Sequence, residues 1–319
     1  MKSSACENIK RYFELFGPCV SFAKEKGEGI LLGTPLCIVD WVEQNEVMDD
    51  LLIQGDTLTM QPMDHGFEAE VMKICSGKDS FVLKVWSKSS KPDISFQYRL
   101  LNVLLERGVS VSKPLGWGIN LNGDKVLLTT FDGIPALKAN EKKMTKIANI
   151  LSKIHQIPVK EIGNIKLPKY DFIDYFFPGV REHSDIYKAL ISLVQTTQIK
   201  QEHIIRGDFH VNNIMEENDQ YTVIDWTNGQ LGDPRYDFAW SLTLLKIYVS
   251  ERYAYVFRSA YLLENDIQQK ELEVFEALAC LRWLVLNRSG GVPRDSNTIE
   301  RVKGLVTNNP SLKEFEFTI

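Results

Sequence analysis

The sequence contains no run of about twenty apolar residues, which is the length that a helix needs to cross a bilayer, so we expect no membrane span. The amino-terminal segment also has no apolar stretch ahead of a cleavage site, so we expect no signal peptide. Cysteine is scarce, because the five cysteines are scattered and form no C-x-x-C pair. This usage argues against a disulfide framework or a zinc site, and it favours reduced thiols in the cytoplasm.

Positive charge is not in excess either. The 37 Lys and Arg residues are outnumbered by 42 Asp and Glu residues, and the formal net charge is -5. This balance argues against nucleic acid as the main partner and is compatible with a cationic or a neutral small molecule. The sequence also lacks G-x-x-x-x-G-K-[ST], since Gly77-Lys78 is followed by Asp79, and a P-loop enzyme is therefore unsupported.

The most informative stretch runs from Ile205 to Trp240. Asp208 is followed five residues later by Asn213, and a short apolar segment then leads into Asp225. Phosphoryl transfer from a magnesium nucleotide requires a carboxylate that orients the attacking hydroxyl and accepts its proton. It also requires hard oxygen ligands for Mg²⁺, which an amide and a second carboxylate supply. The spacing therefore predicts Asp208 as the base, and Asn213 and Asp225 as the metal ligands.

Each of these residues has a simpler interpretation when it is taken alone. An isolated Asp208 is more often a helix cap or a turn residue, and Asn213 could also mark a turn. His210 lies inside the loop, but no second His or Cys stands at ligand spacing, so a metal role for it is disfavoured. The D-x-x-x-x-N spacing ahead of a strand that ends in Asp favours an active site.

Three segments, RGDFHVNNIM, VIDW and GDPRYDFAW, resemble the motifs of the aminoglycoside phosphotransferase and choline kinase family. Members usually read H-G-D-x-x-x-x-N, then I-D-W, then G-D-P-x-x-D-[LF]-A. This chain departs from the pattern at Arg206, where the family has a His that braces the loop. The resemblance implies that Asp233 and Asp237, which follow the metal site, support the structure.

The fold that the resemblance implies is α+β and protein-kinase-like, with a small β-rich amino-terminal lobe and a larger, mainly helical lobe. We assign residues 1–57 to an extension packed on the small lobe, which includes a helix predicted between Ile9 and Phe16. Residues 58–132 form the small nucleotide-binding lobe, in which Met60–Phe67 occupies the place of a phosphate-covering loop. Residues 133–319 form the helical lobe with the catalytic loop and the acceptor site.

Lys84 is the informative residue of the small lobe. On a strand from Ser80 to Trp86 it shares one face with Val82 and Trp86. An ammonium between apolar neighbours can bind an anion, and the α- and β-phosphates of the nucleotide would provide one. The alternative is a Lys whose stem covers apolar surface while its head reaches water.

In relatives, a helix carboxylate holds this lysine. The predicted helix from Ile94 to Arg107 carries Gln97 at the matching position, and an amide can bond an ammonium but cannot neutralise it. Glu68 or Glu70 could provide the carboxylate instead. The strand Lys125–Thr130 resembles the family's connection between the lobes, where adenine would contact the backbone near Thr130 and Phe131.

The helical lobe contains two clusters with alternative interpretations. The aromatic residues between Tyr170 and Pro178 could stack on a substrate, but core packing is favoured. Several acidic residues lie where relatives bind the acceptor, and these could form an acidic pocket or a solvated helix face: Glu264, Asp266, Glu271, Glu273 and Glu276. His155 ends a predicted helix that begins at Glu141, and we interpret it as a structural histidine.

Together these features predict a phosphotransferase that moves the γ-phosphoryl group of ATP or GTP, with Mg²⁺, to a hydroxyl of a small molecule. We expect a monomer or a homodimer. The alternative is a nucleotide-binding pseudokinase with a regulatory or scaffold role, which Arg206 and Gln97 favour and which the intact Asp208, Asn213 and Asp225 oppose.

Overall fold

The structure of the protein is a computed structural model that describes residues 20–25, 28–33, 35–63, 69–163, 165–293 and 295–319. The helix predicted between Ile9 and Phe16, part of the segment Met60–Phe67, and Glu68 lie outside these residues. The chain divides into two compact units: Met1–Glu106 with Val111–Gly133, and Arg107–Ser110 with Ile134–Ile319.

The first unit is built on an eight-stranded sheet with the order β1-β2-β4-β5-β6-β8-β7-β3, in which neighbouring strands are antiparallel. Its strands are β1 Val20–Glu25, β2 Glu28–Gly33, β3 Val39–Gln44, β4 Thr59–Pro62, β5 Glu70–Ser76, β6 Asp79–Trp86, β7 Pro114–Asn120 and β8 Lys125–Thr130. Its helices are α1 Glu46–Ile53 and α2 Ile94–Glu106, with 3-10 turns at Pro35–Ile38 and Gly55–Thr57.

One face of this sheet forms the hydrophobic core of the unit. Because side chains alternate along a strand, each central strand contributes every second residue to this face. The core side chains on β4 to β8 are Met60, Met72, Ile74, Phe81, Leu83, Val85, Leu115, Val126 and Leu128. The residues that precede β4 also contribute side chains to this core: Leu36, Val39, Met48, Leu51 and Leu58. The part of the assigned extension that the structure describes is thus packed into the core, while the boundary at residue 57 stays a prediction.

The opposite face of the sheet carries Lys84. This residue lies opposite Val71 on β5 and Leu127 on β8, and it is half-buried like Val71. The alternation predicted for this strand is therefore present, with Leu83 and Val85 in the core and Lys84 facing away from it. This placement leaves the ammonium accessible to a ligand.

The second unit is mainly helical. Its helices are α3 Glu141–His155, α4 Phe172–Phe176, α5 Ser184–Thr196, α6 Pro234–Tyr248, α7 Glu251–Glu264, α8 Gln269–Arg288 and α9 Ser296–Asn308. Short strands form two small sheets, β12-β11-β9 and β10-β13, from β9 Ile134–Pro135, β10 His203–Ile205, β11 Ile214–Glu217, β12 Gln220–Val223 and β13 Gln230–Gly232. Single 3-10 turns lie at Val159–Ile162, Val180–Glu182, Val211–Asn213 and Pro310–Leu312.

Helix α6 is the central helix of this unit. It begins with Asp233 as the N-cap and Pro234 in the first turn, a combination that favours helix initiation. Its residues from Tyr236 to Leu245 are all buried, and it packs against α7 and α8, while α3 packs against α7. The apolar residues on every side of α6 thus fix the position of the segment that precedes it.

The aromatic residues near α4 pack mainly in the core, which is the interpretation that the sequence favoured. Phe172, Phe176 and Phe177 are buried and pack around Tyr236 with ring centroids 4.8 to 6.3 Å apart. Tyr170 is the exception, because it is exposed and stacks on Tyr175. The cluster therefore belongs mainly to the core of the unit.

The predicted α+β composition is confirmed, with an antiparallel sheet in the amino-terminal unit and helices dominating the second. Strand β8 and helix α3 have the predicted bounds. The helical periodicity of the sequence predicts a further helix from Phe238 to Tyr248, and the corresponding helix α6 begins four residues earlier, at Pro234. Within the described ranges, none of the helices has both the length and the apolar character that crossing a membrane requires.

Candidate active site

The loop after β10 brings Asp208 and Asn213 together. Asn213 ends the 3-10 turn Val211–Asn213, and its Nδ2 donates to the Asp208 carbonyl oxygen at 3.3 Å. The same Nδ2 lies 3.0 Å from Nε2 of His210. The amide nitrogen is thus used inside the loop, and Oδ1 of Asn213 has no hydrogen-bond partner among the described residues, so it is available to a cation.

Asp225 lies beside this loop. The Ile224 N–H donates to the Asn213 carbonyl oxygen at 3.0 Å, which ties the end of the hairpin β11–β12 to the loop. Asp225 adopts a left-handed backbone conformation with φ 57°, and its Oδ1 accepts a hydrogen bond from the Thr227 hydroxyl at 3.0 Å. The structure therefore gathers Asp208, Asn213 and Asp225, the three residues predicted from their spacing.

The carboxylate of Asp208 has partners on both oxygens. Trp240 donates its indole N–H to Oδ1 at 2.9 Å, and Nε2 of His210 lies 3.4 Å from Oδ2. The side chain remains 29% exposed. These contacts fix the orientation of the carboxylate and leave part of it open to a substrate hydroxyl.

The charge around Asp208 favours its ionised form. Burial opposes ionisation, but the neighbouring His210 and the positive charges of Arg206 and Arg282 together outweigh it, and the pKa of Asp208 is held well below its usual value. A carboxylate with a depressed pKa is a weak base. It is therefore better suited to orienting a hydroxyl than to removing its proton early, which agrees with the loose transition state of phosphoryl transfer.

Asp237 supports the backbone of the loop through hydrogen bonds. It is buried, and its two oxygens accept the N–H groups of Arg206 at 2.9 Å and Gly207 at 3.0 Å. His155 contacts the same carboxylate through Nε2 at 3.1 Å and the Tyr261 hydroxyl through Nδ1 at 2.6 Å. Asp237 and His155 thus have structural roles, as predicted. Asp233, the N-cap of α6, also accepts the Lys200 N–H at 2.8 Å.

Gly207 allows the loop to pass close to the turn that precedes β13. Its φ is 79°, a conformation that side chains rarely adopt, and a Cβ at this position would lie 2.8 Å from the Asn228 carbonyl oxygen. A glycine is therefore required immediately before Asp208.

Two side chains at the site were not identified from the sequence. Trp240 is the last residue of the motif GDPRYDFAW. It lies 32 positions from Asp208 in the chain, so local spacing does not predict their contact. Arg282 on α8 donates to the Gly207 carbonyl oxygen at 3.0 Å, and its guanidinium lies over the rings of Trp240 at 4.1 Å and Phe176 at 4.9 Å. No spacing or motif marks Arg282, because its position depends on the packing of α8 against α6.

Lys84 and Gln97 are not joined in the first unit. Among the described residues, Lys84 has no hydrogen bond or ion pair, and the buried Gln97 amide has no partner on Nε2. Glu70 lies on β5, but no ion pair connects it to Lys84, while Glu68 is outside the described residues. The partner of Lys84 thus stays a prediction.

Thr130 and Phe131 already use their backbone N–H groups. Thr130 donates to the Lys113 carbonyl oxygen and Phe131 to the Ser80 carbonyl oxygen, each at 3.0 Å. A purine that contacts the backbone here would have to use a carbonyl oxygen or the N–H of a later residue. The Phe131 ring is also covered by the Lys73 ammonium, 3.8 Å from its centroid.

The acidic residues near α8 do not form an open acidic pocket. Glu271 pairs with Arg235 at 2.7 Å, and Glu276 pairs with Lys246. The remaining members accept hydrogen bonds from neighbouring glutamines or are exposed: Glu273, Asp266 and Glu264. The solvated and ion-paired interpretation is thus the one that the contacts favour.

The donor set fits a magnesium ion that arrives with a nucleotide. Oδ1 of Asn213 and the carboxylate of Asp225 are hard oxygen ligands, which Mg²⁺ prefers. In the part of the chain that the structure describes, no cluster of three or more His, Cys, Asp or Glu side chains could hold a metal. The protein residues would therefore complete a coordination sphere that phosphate oxygens and water supply in part.

The fold is similar to that of solved small-molecule kinases. A spectinomycin phosphotransferase, APH(9)-Ia, solved with ADP and spectinomycin, has a TM-score of 0.59 at 15% identity, covering 86% of this chain and 94% of that chain. Choline kinase LicA from Streptococcus pneumoniae has a TM-score of 0.56 at 15% identity, covering 84% and 98%. A Plasmodium vivax ethanolamine kinase has a TM-score of 0.56 at 17% identity, covering 81% and 84%. At these identities the likeness concerns the fold, and the predicted kinase-like fold is confirmed.

The family is established by sequence. The family model described as phosphotransferase enzyme family, APH, matches residues 59–273, which is more than half of the 319 residues, and the chain belongs to this family. No curated protein sequence matches the chain significantly. The resemblance read from the three motifs is therefore confirmed at the level of the family.

Proposed function

We propose that the protein transfers the γ-phosphoryl group of ATP or GTP to a hydroxyl group of a small molecule. The observation that carries this proposal is the gathering of Asp208, Asn213 and Asp225 at one loop, with Asp208 ionised and partly open. Family membership supports a phosphotransferase, and the named relatives act on spectinomycin, choline and ethanolamine. A cytoplasmic location and a monomeric or homodimeric state stay predictions.

In this proposal Asp208 orients the acceptor hydroxyl and takes its proton as the bond to phosphorus forms. The Trp240 N–H holds the carboxylate in place, so little reorganisation is needed during the reaction. Asn213 and Asp225 would hold Mg²⁺, which when bound neutralises charge on the transferred phosphoryl group. The chain's own contribution is thus positioning and charge.

The first unit would bind the rest of the nucleotide. Lys84 lies on the half-exposed face of the sheet, where its ammonium can hold the non-transferred phosphates. Gln97 would assist Lys84, and the backbone at Thr130 and Phe131 would contact the base through carbonyl oxygens. A coupled assay for ADP and GDP release across hydroxylated metabolites and antibiotics tests the whole proposal, and it fails if no acceptor stimulates release.

A nucleotide-binding protein without turnover is the second candidate. The observation that favours it is the buried Arg206 guanidinium, which lies within 4 Å of the carboxylates of both Asp208 and Asp225. Thermal stabilisation by ATP that requires Mg²⁺, combined with no hydrolysis and no acceptor-stimulated release, would support this candidate over the kinase.

The charged side chains near Asp208 affect which acceptor charge the site favours. The acidic side chains of α8 are paired, as with Glu271 and Glu276, whereas the Arg282 guanidinium lies against the loop and donates to the Gly207 carbonyl oxygen. A polycationic acceptor would meet a cation there and little unpaired acid. We therefore propose a neutral or anionic alcohol as the acceptor.

We expect matched alcohols to separate by charge. Among 3-aminopropanol, 1,3-propanediol and 3-hydroxypropanoate at millimolar concentration, the ammonium compound should stimulate ADP release least, by on the order of tenfold, because Arg282 repels it. Arg282→Gln should remove this discrimination. Equal or greater stimulation by the ammonium compound, or by aminoglycosides, would contradict the proposed acceptor class.

Lys84→Ala is expected to reduce turnover strongly, whereas Gln97→Ala should cost tenfold or less, on the order of 1.4 kcal/mol. The reason is that an amide holds an ammonium more weakly than a carboxylate does, so the bound phosphates supply much of the ordering of Lys84. Steady-state kcat and KM for the nucleotide measure both effects. Lys78→Ala, in the exposed turn between β5 and β6, is the matched control.

Gln97→Glu distinguishes the possible partners of Lys84. Gln97 is 3% exposed, so a glutamate there costs stability unless a cation neutralises it. If Lys84 reaches this position, the variant should keep its melting temperature and its activity. A fall in melting temperature, or a loss in Gln97→Ala as large as in Lys84→Ala, would require a different account of how Lys84 is held.

A further inference from the structure

A second lysine lies on the face of the first-unit sheet that carries Lys84. In the register of β5 with its two neighbours, Lys73 lies opposite Gln61 on β4 and Val82 on β6. Lys84 lies opposite Val71, which is two residues before Lys73 on β5. Residues two apart on a strand point to the same face, about 7 Å from each other. The face that would bind the nucleotide therefore carries two lysines, of which only Lys84 was predicted.

The two lysines lie at different ends of the proposed nucleotide site. Lys84 is paired with Leu127 on β8, four residues before Phe131. The Lys73 ammonium lies 3.8 Å from the centroid of the Phe131 ring. Because the phosphates are assigned to Lys84 and the base to the backbone near Phe131, Lys73 lies at the base end of the site.

Lys73 has no anionic partner among the described residues. Its only printed contact there is the Phe131 ring, and the residues directly opposite it, Gln61 and Val82, are uncharged. The side chain is half-buried. An aromatic ring attracts a cation through its face but accepts none of the three N–H groups in the way that a carboxylate does. The ring therefore positions the ammonium and leaves its donors available to a ligand.

An ammonium at this end of the site distinguishes the two purines. It can donate hydrogen bonds but cannot accept them. Guanine has two adjacent acceptors, O6 and N7, whereas adenine has N7 beside an amino group that is itself a donor. The N–H groups of Thr130 and Phe131 are engaged within the unit, so they cannot serve O6. Lys73 is thus placed to supply the donor that guanine requires.

We propose that Lys73 selects the base of the phosphoryl donor by binding O6 and N7 of guanine, so that the protein prefers GTP to ATP. The inference rests on the proposed function, because it takes the face with Lys84 as the nucleotide site. It makes Lys73 a specificity-determining residue, which contacts the base and has no part in the transfer of the phosphoryl group.

The test is calorimetry of three nucleoside diphosphates, ADP, GDP and IDP, with the full-length protein. The hypoxanthine base of IDP has the O6 and N7 of guanine but lacks its amino group at C2. The wild type should bind GDP and IDP on the order of tenfold more tightly than ADP, as expected for one two-acceptor contact. Tight binding of GDP together with weak binding of IDP would assign the selection to the amino group and would overturn the proposal.

Four variants locate the source of the preference. Lys73→Met keeps an apolar side chain but removes the ammonium, so it should lose about tenfold in affinity for GDP and IDP and none for ADP. Lys73→Arg keeps a cationic donor and should keep the preference. Lys84→Met should weaken the binding of all three diphosphates by similar factors, because its contact would be with phosphate. Lys78→Met, in the exposed turn between β5 and β6, is the control on the same hairpin.

Equal or tighter binding of ADP by the wild type would overturn the proposal without the need for any variant. A loss in Lys73→Met that is the same for the three diphosphates would also overturn it, since it would make Lys73 a phosphate contact or a structural residue. These measurements need no turnover. If Lys73 confers the preference while no acceptor is ever phosphorylated, the base selection stands and the proposed transferase activity falls. If acceptors are phosphorylated equally well from ATP and GTP, the transferase stands and the base selection falls.

Discussion

Asp208→Ala is expected to lower kcat by roughly a thousandfold, or about 4 kcal/mol of transition-state stabilisation, because it removes the group that orients and deprotonates the acceptor. Nucleotide binding should change little, since Asn213 and Asp225 remain. Folding should also be retained, because the Asp208 carbonyl oxygen that binds Asn213 and Arg206 belongs to the backbone. The carboxylate itself is partly exposed, so its loss leaves no large cavity.

The measurement is steady-state turnover with an acceptor identified in the ADP-release assay, together with calorimetry of nucleotide binding. Asp208→Asn is a useful second variant, because its amide oxygen can still accept the Trp240 N–H while it cannot take a proton. Asp174→Ala is the control, since its side chain is 71% exposed and lies 3.8 Å from Arg181. Activity of Asp208→Ala within tenfold of the wild type would exclude Asp208 as the base.

Asp225→Asn should weaken both the binding of Mg-ATP and turnover, each by tenfold or more, because a neutral amide replaces a carboxylate at the metal. The substitution suits the backbone, since Asn tolerates the left-handed conformation that Asp225 adopts with φ 57°. An alanine would add strain there and confuse the result. The change in affinity should vanish when ATP is titrated without a divalent ion.

Calorimetry with Mg-ATP and with metal-free ATP measures this difference. Asp219→Asn is a matched control, because Asp219 is also an aspartate in the left-handed region, with φ 64°, and lies in the turn between β11 and β12. If Asp225→Asn bound Mg-ATP as the wild type does and kept its activity, the metal role of Asp225 would be wrong.

Local patterns predicted the regular elements well. The apolar run of β8 and the 3.6-residue periodicity of α3 gave their observed bounds, because both signals lie within the segment itself. The start of α6 was predicted too late, although Asp233 and Pro234 carry the usual signals of a helix start. The apolar periodicity begins only at Phe238, and the Asp233 cap with Pro234 adds a turn of helix before it.

The sequence by itself determined the family, the kinase-like fold and the identity of the three clustered residues, because the spacing of Asp208, Asn213 and Asp225 is a property of one continuous stretch. The tertiary structure decided what surrounds them. It placed Trp240 and Arg282 against the loop, paired the acids of α8, and buried Arg206 between two carboxylates. Contacts of this kind join residues that are far apart in the chain or depend on how the buried helices pack. Periodicity and spacing report which face of an element is buried, but only the packed chain determines which charge lies beside which carboxylate.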